Sequence, residues 1–202
     1  MTYEERLAAL QLGKLYEAEG NKEAAEKEYD KIINSKDFSP ERIEEEQEVV
    51  YQALYRKLVM NSNHRGKVLQ LAPMTMEFFH HKKEYEEELF FTIGRVYFGV
   101  GENAPALDML ERLLRRYPHG KYTHEACYIV GQIYHKHLDQ PKQAIYYYME
   151  CLKNPPVDLS VIGISLADCY TAIGEFDKAR EMMEKYVGIP SIEVVEKLKE
   201  RG

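Results

Sequence analysis

Apolar residues recur along this chain at helical spacing, in runs that are short. From Leu89 to Val100 bulky side chains lie nearly all round the predicted helix. From Ala106 to Tyr117 they keep to one face, with Leu107, Leu110, Leu113 and Leu114 at i, i+3, i+6 and i+7. Between the runs, Gly101-Glu102-Asn103 puts a glycine just past one helix end and an asparagine just before the next start. Pro118 closes the second run. The pattern predicts two antiparallel helices. One such pair cannot bury both of its apolar faces, so further copies should stack beside it.

The copies are legible. Ile93-Gly94-Arg95-Val96-Tyr97 returns as Leu12-Gly13-Lys14-Leu15-Tyr16, Val130-Gly131-Gln132-Ile133-Tyr134 and Leu166-Ala167-Asp168-Cys169-Tyr170, with a weaker copy at Tyr51-Gln52-Ala53-Leu54-Tyr55. The closing tyrosines are spaced 39, 42, 37 and 36 residues apart, which predicts five units. A break follows each regular phrase, and then an alanine in a second helix: Ala25, Ala106, Ala144 and Ala179. Small residues on both helices let the axes approach closely; a large one would hold them apart.

The second unit departs from this plan. Ser39-Pro40-Glu41 predicts its helix start, with a capping serine, proline at the first position and an acid near the positive end. The helix from about Pro40 to Met60 is longer than its counterparts, and Gln52 stands at its small position. Its partner run, about His64 to His81, contains Pro73, which predicts a kink or a split. The tail Ser191–Arg201 reads as a short helix with Ile192, Val195 and Leu198 on one face, suited to cap the last pair.

Leu-Gly-x-x-Tyr, then alanine, then a large apolar residue, then proline resembles the tetratricopeptide repeat (TPR). In the third unit the resemblance maps onto Phe90, Ile93, Gly94, Tyr97, Ala106, Leu110, Leu113 and Pro118. In the first it maps onto Ala9, Leu12, Gly13, Tyr16, Ala25, Tyr29 and Ile32. The fourth carries Cys127, Val130, Gly131, Tyr134, Ala144, Tyr148 and Cys151 with a one-residue insertion; the fifth carries Gly163, Leu166, Ala167, Tyr170, Ala179, Met183 and Tyr186. The implied fold is all-α: a right-handed superhelical solenoid of about five antiparallel helix pairs with a C-terminal capping helix, forming one domain over residues 1–202. The expected repeats are 3–37, 40–81 (degenerate), 84–119, 121–156 and 158–190, with the cap at 191–201. A shorter phrase, Tyr117-Pro118-x-Gly120-x-Tyr122…Glu125-Ala126, resembles bacterial envelope TPR proteins of the outer-membrane-assembly and Tol–Pal-associated kind.

Composition narrows the function. Charged residues make up 30% and apolar ones 45%, a globular balance, and the net charge of −7 argues against a nucleic-acid face. No apolar run approaches the roughly 20 residues that span a bilayer, so membrane insertion is not expected. The N-terminus lacks the basic and apolar regions of an export signal, which points to the cytoplasm, or to the periplasm if a signal has been removed. Cys127, Cys151 and Cys169 form no CxxC pair and sit at small-residue positions in helices, as buried hydrophobes do.

Catalytic chemistry is not expected. His80-His81 and His135-x-His137 point apart on a helix, so neither pair chelates well, and His124-Glu125 lacks the second histidine of a zincin motif. Gly94 to Gly101 lacks the Lys-Ser/Thr of a phosphate loop. No metal or cofactor site is expected. The acidic runs Glu44-Glu45-Glu46 and Glu84 to Glu88 read as solvated helix faces, or as a patch that steers a basic partner.

The TPR resemblance places a ligand groove along the first helix of each pair. The implied groove set is Leu10, Lys14 and Glu17; Phe91, Arg95 and Phe98; Tyr128, Gln132 and His135; Ile164, Asp168 and Thr171. Within it, Lys14, Phe91, Arg95, Phe98, Tyr128, Gln132, His135 and Asp168 are the candidate partner-binding residues. Phe91, Phe98 and Tyr128 are expected to form an exposed apolar patch, with Arg95 pairing a carboxylate or stacking on a ring. Chaperone-binding TPRs hold a C-terminal carboxylate with Lys and Asn where this chain has Leu10, Phe91 and Tyr128, a departure from that clamp. The expected function is a non-catalytic scaffold that binds a peptide or helix of a protein partner. The alternatives are a self-assembling or adaptor unit of a larger bacterial complex, with a homo-oligomer formed through an exposed edge, and a regulatory module of an enzyme.

Overall fold

A computed structural model describes residues 1–35, 37–38, 42–79 and 83–188. The described chain is helical throughout. Its elements are α1 (Tyr3–Ala18), α2 (Lys22–Asn34), α3 (Ile43–Met60), α4 (Arg65–Glu77), α5 (Lys83–Gly99), α6 (Asn103–Arg116), α7 (Thr123–Lys136), α8 (Pro141–Cys151), α9 (Leu159–Ala172) and α10 (Phe176–Met182), the last continued by a π-helical turn at Met183–Val187. They fall into two compact units, 1–102 and 103–202.

Short polar side chains start α1, α2 and α9. The Thr2 hydroxyl accepts the Glu5 amide at 3.2 Å while the Glu5 carboxylate accepts the Thr2 amide at 2.8 Å, a reciprocal box that satisfies two otherwise orphaned donors. Asn21 caps α2 and Asp158 caps α9 in the same sense. The repeat tyrosine organises the helix ends. The Tyr16, Tyr97 and Tyr170 carbonyls each accept an amide five residues on, from Asn21, Glu102 and Glu175, at 2.8–2.9 Å. The helices end in Gly20, Gly101 and Gly174, each with φ near +80°. In the fourth repeat the insertion lengthens this closure to six residues, Gln140 to Tyr134, and Asp139 takes the positive φ of 50°.

Small residues set the approach of paired helices. A Cβ added at Gly13 would lie 2.3 Å from the Tyr29 ring, and one at Gly131 would lie 2.8 Å from the Tyr148 ring. One at Gly163 would lie 2.6 Å from Tyr186 Cβ. Tyr29 and Tyr148 are fully buried beside their glycines. In the second unit Ile162, Leu166 and Cys169 join Cys127, Ala144, Tyr148 and Cys151 in one core, and all three cysteines are buried and free.

The second pair is distorted but present. α3 packs on α4 less closely than α1 on α2 or α7 on α8. α4 runs through Pro73 without splitting. Pro73 and the residue one turn before it, Leu69, both lie on the exposed face, where water can satisfy the carbonyl that proline leaves unbonded. α3 begins at Ile43, with non-helical Arg42 before it and no side-chain cap, so the helix starts three residues later than the expected Pro40; Ser39, Pro40 and Glu41 themselves lie outside the described residues, as does the expected cap at 191–201.

Within the first unit a buried cation joins the regular pair to the irregular one. Arg6 of α1 is fully buried and donates to the Glu46 carboxylate of α3 at 2.7 Å. It also donates to the Ser35 hydroxyl at 2.9 Å and the Asp37 carbonyl at 2.8 Å, and its guanidinium lies 5.0 Å over the Phe38 ring. One side chain thus ties Ser35, Asp37 and Phe38, which follow α2, to both α1 and α3.

Candidate partner-binding site

The first helices of successive pairs, α1, α3 and α5, share one surface in the first unit. Hydrogen bonds fix their register. Lys14 Nζ donates to Gln52 Oε1 at 3.4 Å, Arg56 pairs with Glu17 at 2.7 Å, and the Tyr55 hydroxyl donates to Glu88 at 2.9 Å and lies 3.1 Å from the Thr92 hydroxyl. Between these helices is a cavity of about 520 Å³. Glu17 lines it from α1; Glu48, Tyr51, Gln52, Tyr55, Arg56, Val59 and Met60 line it from α3; and Tyr85, Glu88 and Arg95 line it from α5. A second hollow adjoins it across Glu48 and Gln52, with Tyr3, Leu10, Lys14, Glu44 and Glu45 on its walls.

The spacing of α3 explains the surface. Glu48, Tyr51, Tyr55 and Val59 recur every three or four residues, so they lie on one face. Val50, Ala53, Leu54 and Leu58 take the opposite, buried face. Gln52, whose size puts close packing in doubt, lies on the helix that packs less closely on its partner, and its side chain reaches into the groove between Lys14 and Glu48. Tyr51 is buried, 5.4 Å from the Phe79 ring and 6.0 Å from the Tyr55 ring. Burial, and then the nearby Tyr55, Glu48, Glu88 and Tyr85, raise its hydroxyl well above the ordinary pKa of 10.0. Lys14 is held below the ordinary ammonium value by partial burial and by the neighbouring Arg56.

The expected groove residues are placed unevenly. Lys14 and Arg95 line the hollows of the first unit. Arg95 is exposed; it lies 5.9 Å over the Phe91 ring and has no carboxylate partner among the described residues. Phe91 is only 6% exposed, so it does not form the expected exposed apolar patch, and Phe98 is half-buried. Three residues before the small position, Leu10 is likewise buried, so in both helices that position faces the core. In the second unit Tyr128, Gln132 and His135 follow one face of α7. Gln132 donates to the Tyr128 hydroxyl at 3.3 Å, and both rings flank Tyr148, at 6.2 Å and 6.1 Å. Asp168 is exposed on α9. The structure therefore brings Lys14 and Arg95 to the surface of the first unit and gathers Tyr128, Gln132 and His135 in the second.

The residues missed from sequence are Tyr51, Tyr55, Arg56, Glu48, Tyr85 and Glu88. A signal for two of them was present. Stepping back one heptad from Arg95 on the same helix face gives Glu88, and another three residues gives Tyr85. Among the described residues no cluster of three His, Cys, Asp or Glu side chains is suited to hold a metal ion. No described helix is long and apolar enough to cross a membrane.

A family model described as tetratricopeptide repeat matches residues 8–37, 124–158 and 164–191, and a second model of the same description matches 88–120. A search of curated proteins found no match. Among solved structures the chain is similar to the MamA protein, with a TM-score of 0.69 at 16% identity, over 93% of this chain and 92% of that one. A second MamA structure gives a TM-score of 0.55 at 17% identity, over 88% and 98%. A Podosopora anserina putative kinesin light chain with nearly identical TPR-like repeats gives 0.54 at 14% identity, over 93% and 96%. At these identities the similarity is one of fold.

Proposed function

The chain belongs to the tetratricopeptide repeat family, whose members are in general protein-interaction scaffolds, and we propose that it is a non-catalytic scaffold that takes a peptide or helix of a partner protein on the surface of α1, α3 and α5. The observation that carries this reading is the cavity of about 520 Å³ lined jointly by those three helices. Its walls mix rings, carboxylates and guanidiniums, which suits a polypeptide with both apolar and charged side chains. Lys14 and Arg95 remain candidate contacts; Tyr55, Tyr85 and Glu88 join them. Phe98 at the end of α5 remains a candidate on the same surface, and Tyr128, Gln132, His135 and Asp168 remain candidates for a contact made by the second unit by itself. Phe91 acts from beneath, as the ring on which Arg95 rests.

The test uses the full chain as bait in extract from its native cell. Tyr85→Ala with Arg95→Ala alters exposed side chains, and circular dichroism checks that the variant folds. A protein captured by the wild type should be lost from this variant and kept by Lys142→Ala, an exposed change on α8. An unchanged set of captured proteins would place the interface elsewhere.

One observation favours self-association as a second reading. Later repeats bury the phrase positions that face a preceding helix: Ile93 and Val96, Val130 and Ile133, Leu166 and Cys169. In α1 the same positions are exposed, Leu12 at 42% and Leu15 at 59%. A second copy covering this edge would make the mass measured by light scattering rise with concentration, and Leu15→Glu would abolish the rise. A strictly monomeric wild type would sink this reading.

A further inference from the structure

On the reading that the α1–α3–α5 cavity receives a partner segment, we propose that it recognises a basic side chain of that segment, a lysine or arginine seated between Tyr51, Tyr55 and Tyr85 and facing Glu88. Three tyrosines line one cavity from two helices: Tyr51 is buried, Tyr55 half-buried and Tyr85 46% exposed. Ring faces attract cations, and more strongly where water is partly excluded. Such a site also covers the methylene stem of a lysine or arginine.

The charges point the same way. The cavity wall carries the carboxylates Glu17, Glu48 and Glu88 and the guanidiniums Arg56 and Arg95. Glu17 is taken up by Arg56 at 2.7 Å and by the Tyr29 hydroxyl at 2.9 Å. Glu88 accepts the Tyr55 hydroxyl and has no cationic partner among the described residues. The neighbouring hollow extends the acidic wall through Glu44, Glu45 and Glu48. A basic group arriving beside Glu88 meets tyrosine rings and carboxylates together, whereas an acidic one meets repulsion there.

The other end of α5 supplies the opposite charge. Arg95 lies seven residues beyond Glu88, about 10 Å along the helix at 1.5 Å per residue. An extended segment covers about 10 Å in three residues. The cavity therefore selects a basic residue followed or preceded, three positions away, by an acidic one that reaches Arg95. The reverse arrangement, an acid among the tyrosines, is disfavoured at both ends.

The test is selection of a random 12-residue peptide library on the immobilised full chain, followed by affinity measurement on the enriched peptides. Enriched peptides should share a lysine or arginine. Replacing that residue with norleucine should weaken binding about tenfold or more, as should Glu88→Gln or Tyr85→Ala in the protein. Lys142→Ala should leave binding unchanged. Peptides that bind, lose affinity with Arg95→Ala, yet carry no basic residue and ignore Glu88→Gln would overturn this inference and leave the groove reading standing. Peptides that ignore every variant on α1, α3 and α5 would overturn both.

Discussion

The pairs α1/α2 and α3/α4 stand next to each other in one unit and are built in opposite ways. In α1/α2 the side chains at the phrase are spent on contact. Gly13 has no side chain because the Tyr29 ring occupies the space, and Tyr29 is fully buried. In α3/α4 the helices pack less closely, and α3 turns Glu48, Tyr51, Gln52, Tyr55 and Arg56 toward a cavity. A repeat that keeps its signature positions has little freedom left on its inner face. The pair that gives up part of the signature supplies most of the cavity wall. Packing and recognition compete for the same positions, and here they are divided between neighbours.

Breaking the link between the two pairs should have the largest effect. Glu46→Ala leaves the Arg6 guanidinium buried without its carboxylate, which should cost about 3–5 kcal/mol in urea unfolding. A loss below about 1 kcal/mol would mean that water reaches Arg6 and that the two pairs are not joined there.

The contrast in packing is sharpened by matched substitutions at the phrase. Gly13→Val puts methyl groups where the Tyr29 ring lies and should cost about 1–3 kcal/mol by overpacking. Gln52→Ala removes a half-buried side chain from the groove and should change stability by less than about 0.5 kcal/mol. Equal costs at the two positions would erase the distinction between the pairs.

Alkaline pH should loosen the closely packed repeats of the second unit. Burial pushes the Cys127 thiol up to about 11, the Cys169 thiol up to about 12 and the Tyr147 hydroxyl up to about 12. The unfolded chain releases these protons first, near pH 9 for the thiols and 10 for the phenol. Their contribution is therefore fully present below about pH 9 and is lost as pH rises through 11 to 12. Urea midpoints measured from pH 8 to 11 should fall across the upper half of that range. The same burial predicts that the three thiols react with a thiol reagent at pH 8 only after unfolding.

The smallest effect concerns a turn. Asp139 takes a left-handed conformation where other repeats have Gly20, Gly101 and Gly174. Asp139→Gly should relieve that strain and raise stability by about 0.5 kcal/mol, read from the thermal midpoint. A clear loss would show that the aspartate side chain stabilises its own turn.

How much of this was readable from the residues depends on what each residue does. Gly13, Gly131, Tyr29 and Tyr148 were legible because a close helix crossing permits few alternatives, and the same solution recurs at a near-constant interval. The helix breaks were legible for the same reason, since Gly20, Gly101 and Gly174 meet a backbone requirement that side chains rarely meet. The site was less legible. Phe91 looks like a groove residue by its offset from Gly94, yet it faces inward, as Leu10 does in the first repeat, while Ile164 at the same offset in α9 is exposed; one offset does not serve every repeat. Tyr51, Tyr55 and Glu48 sit on the helix whose phrase is weakest, so positions projected from the regular repeats do not reach them. Tyr85 and Glu88 continue the helix face of Arg95, but they lie in an acidic run that equally describes a solvated face; the cavity between α3 and α5 distinguishes the two descriptions.

The most direct measurement of the central claim is amide hydrogen exchange of the full chain, with and without a saturating peptide selected as above. Protection is predicted to rise in α3 around Tyr51–Arg56 and in α5 around Tyr85–Arg95, with α8 unchanged. Protection confined to the second unit, or to the outer helices α2 and α4, would contradict the assignment of the partner to the α1–α3–α5 surface.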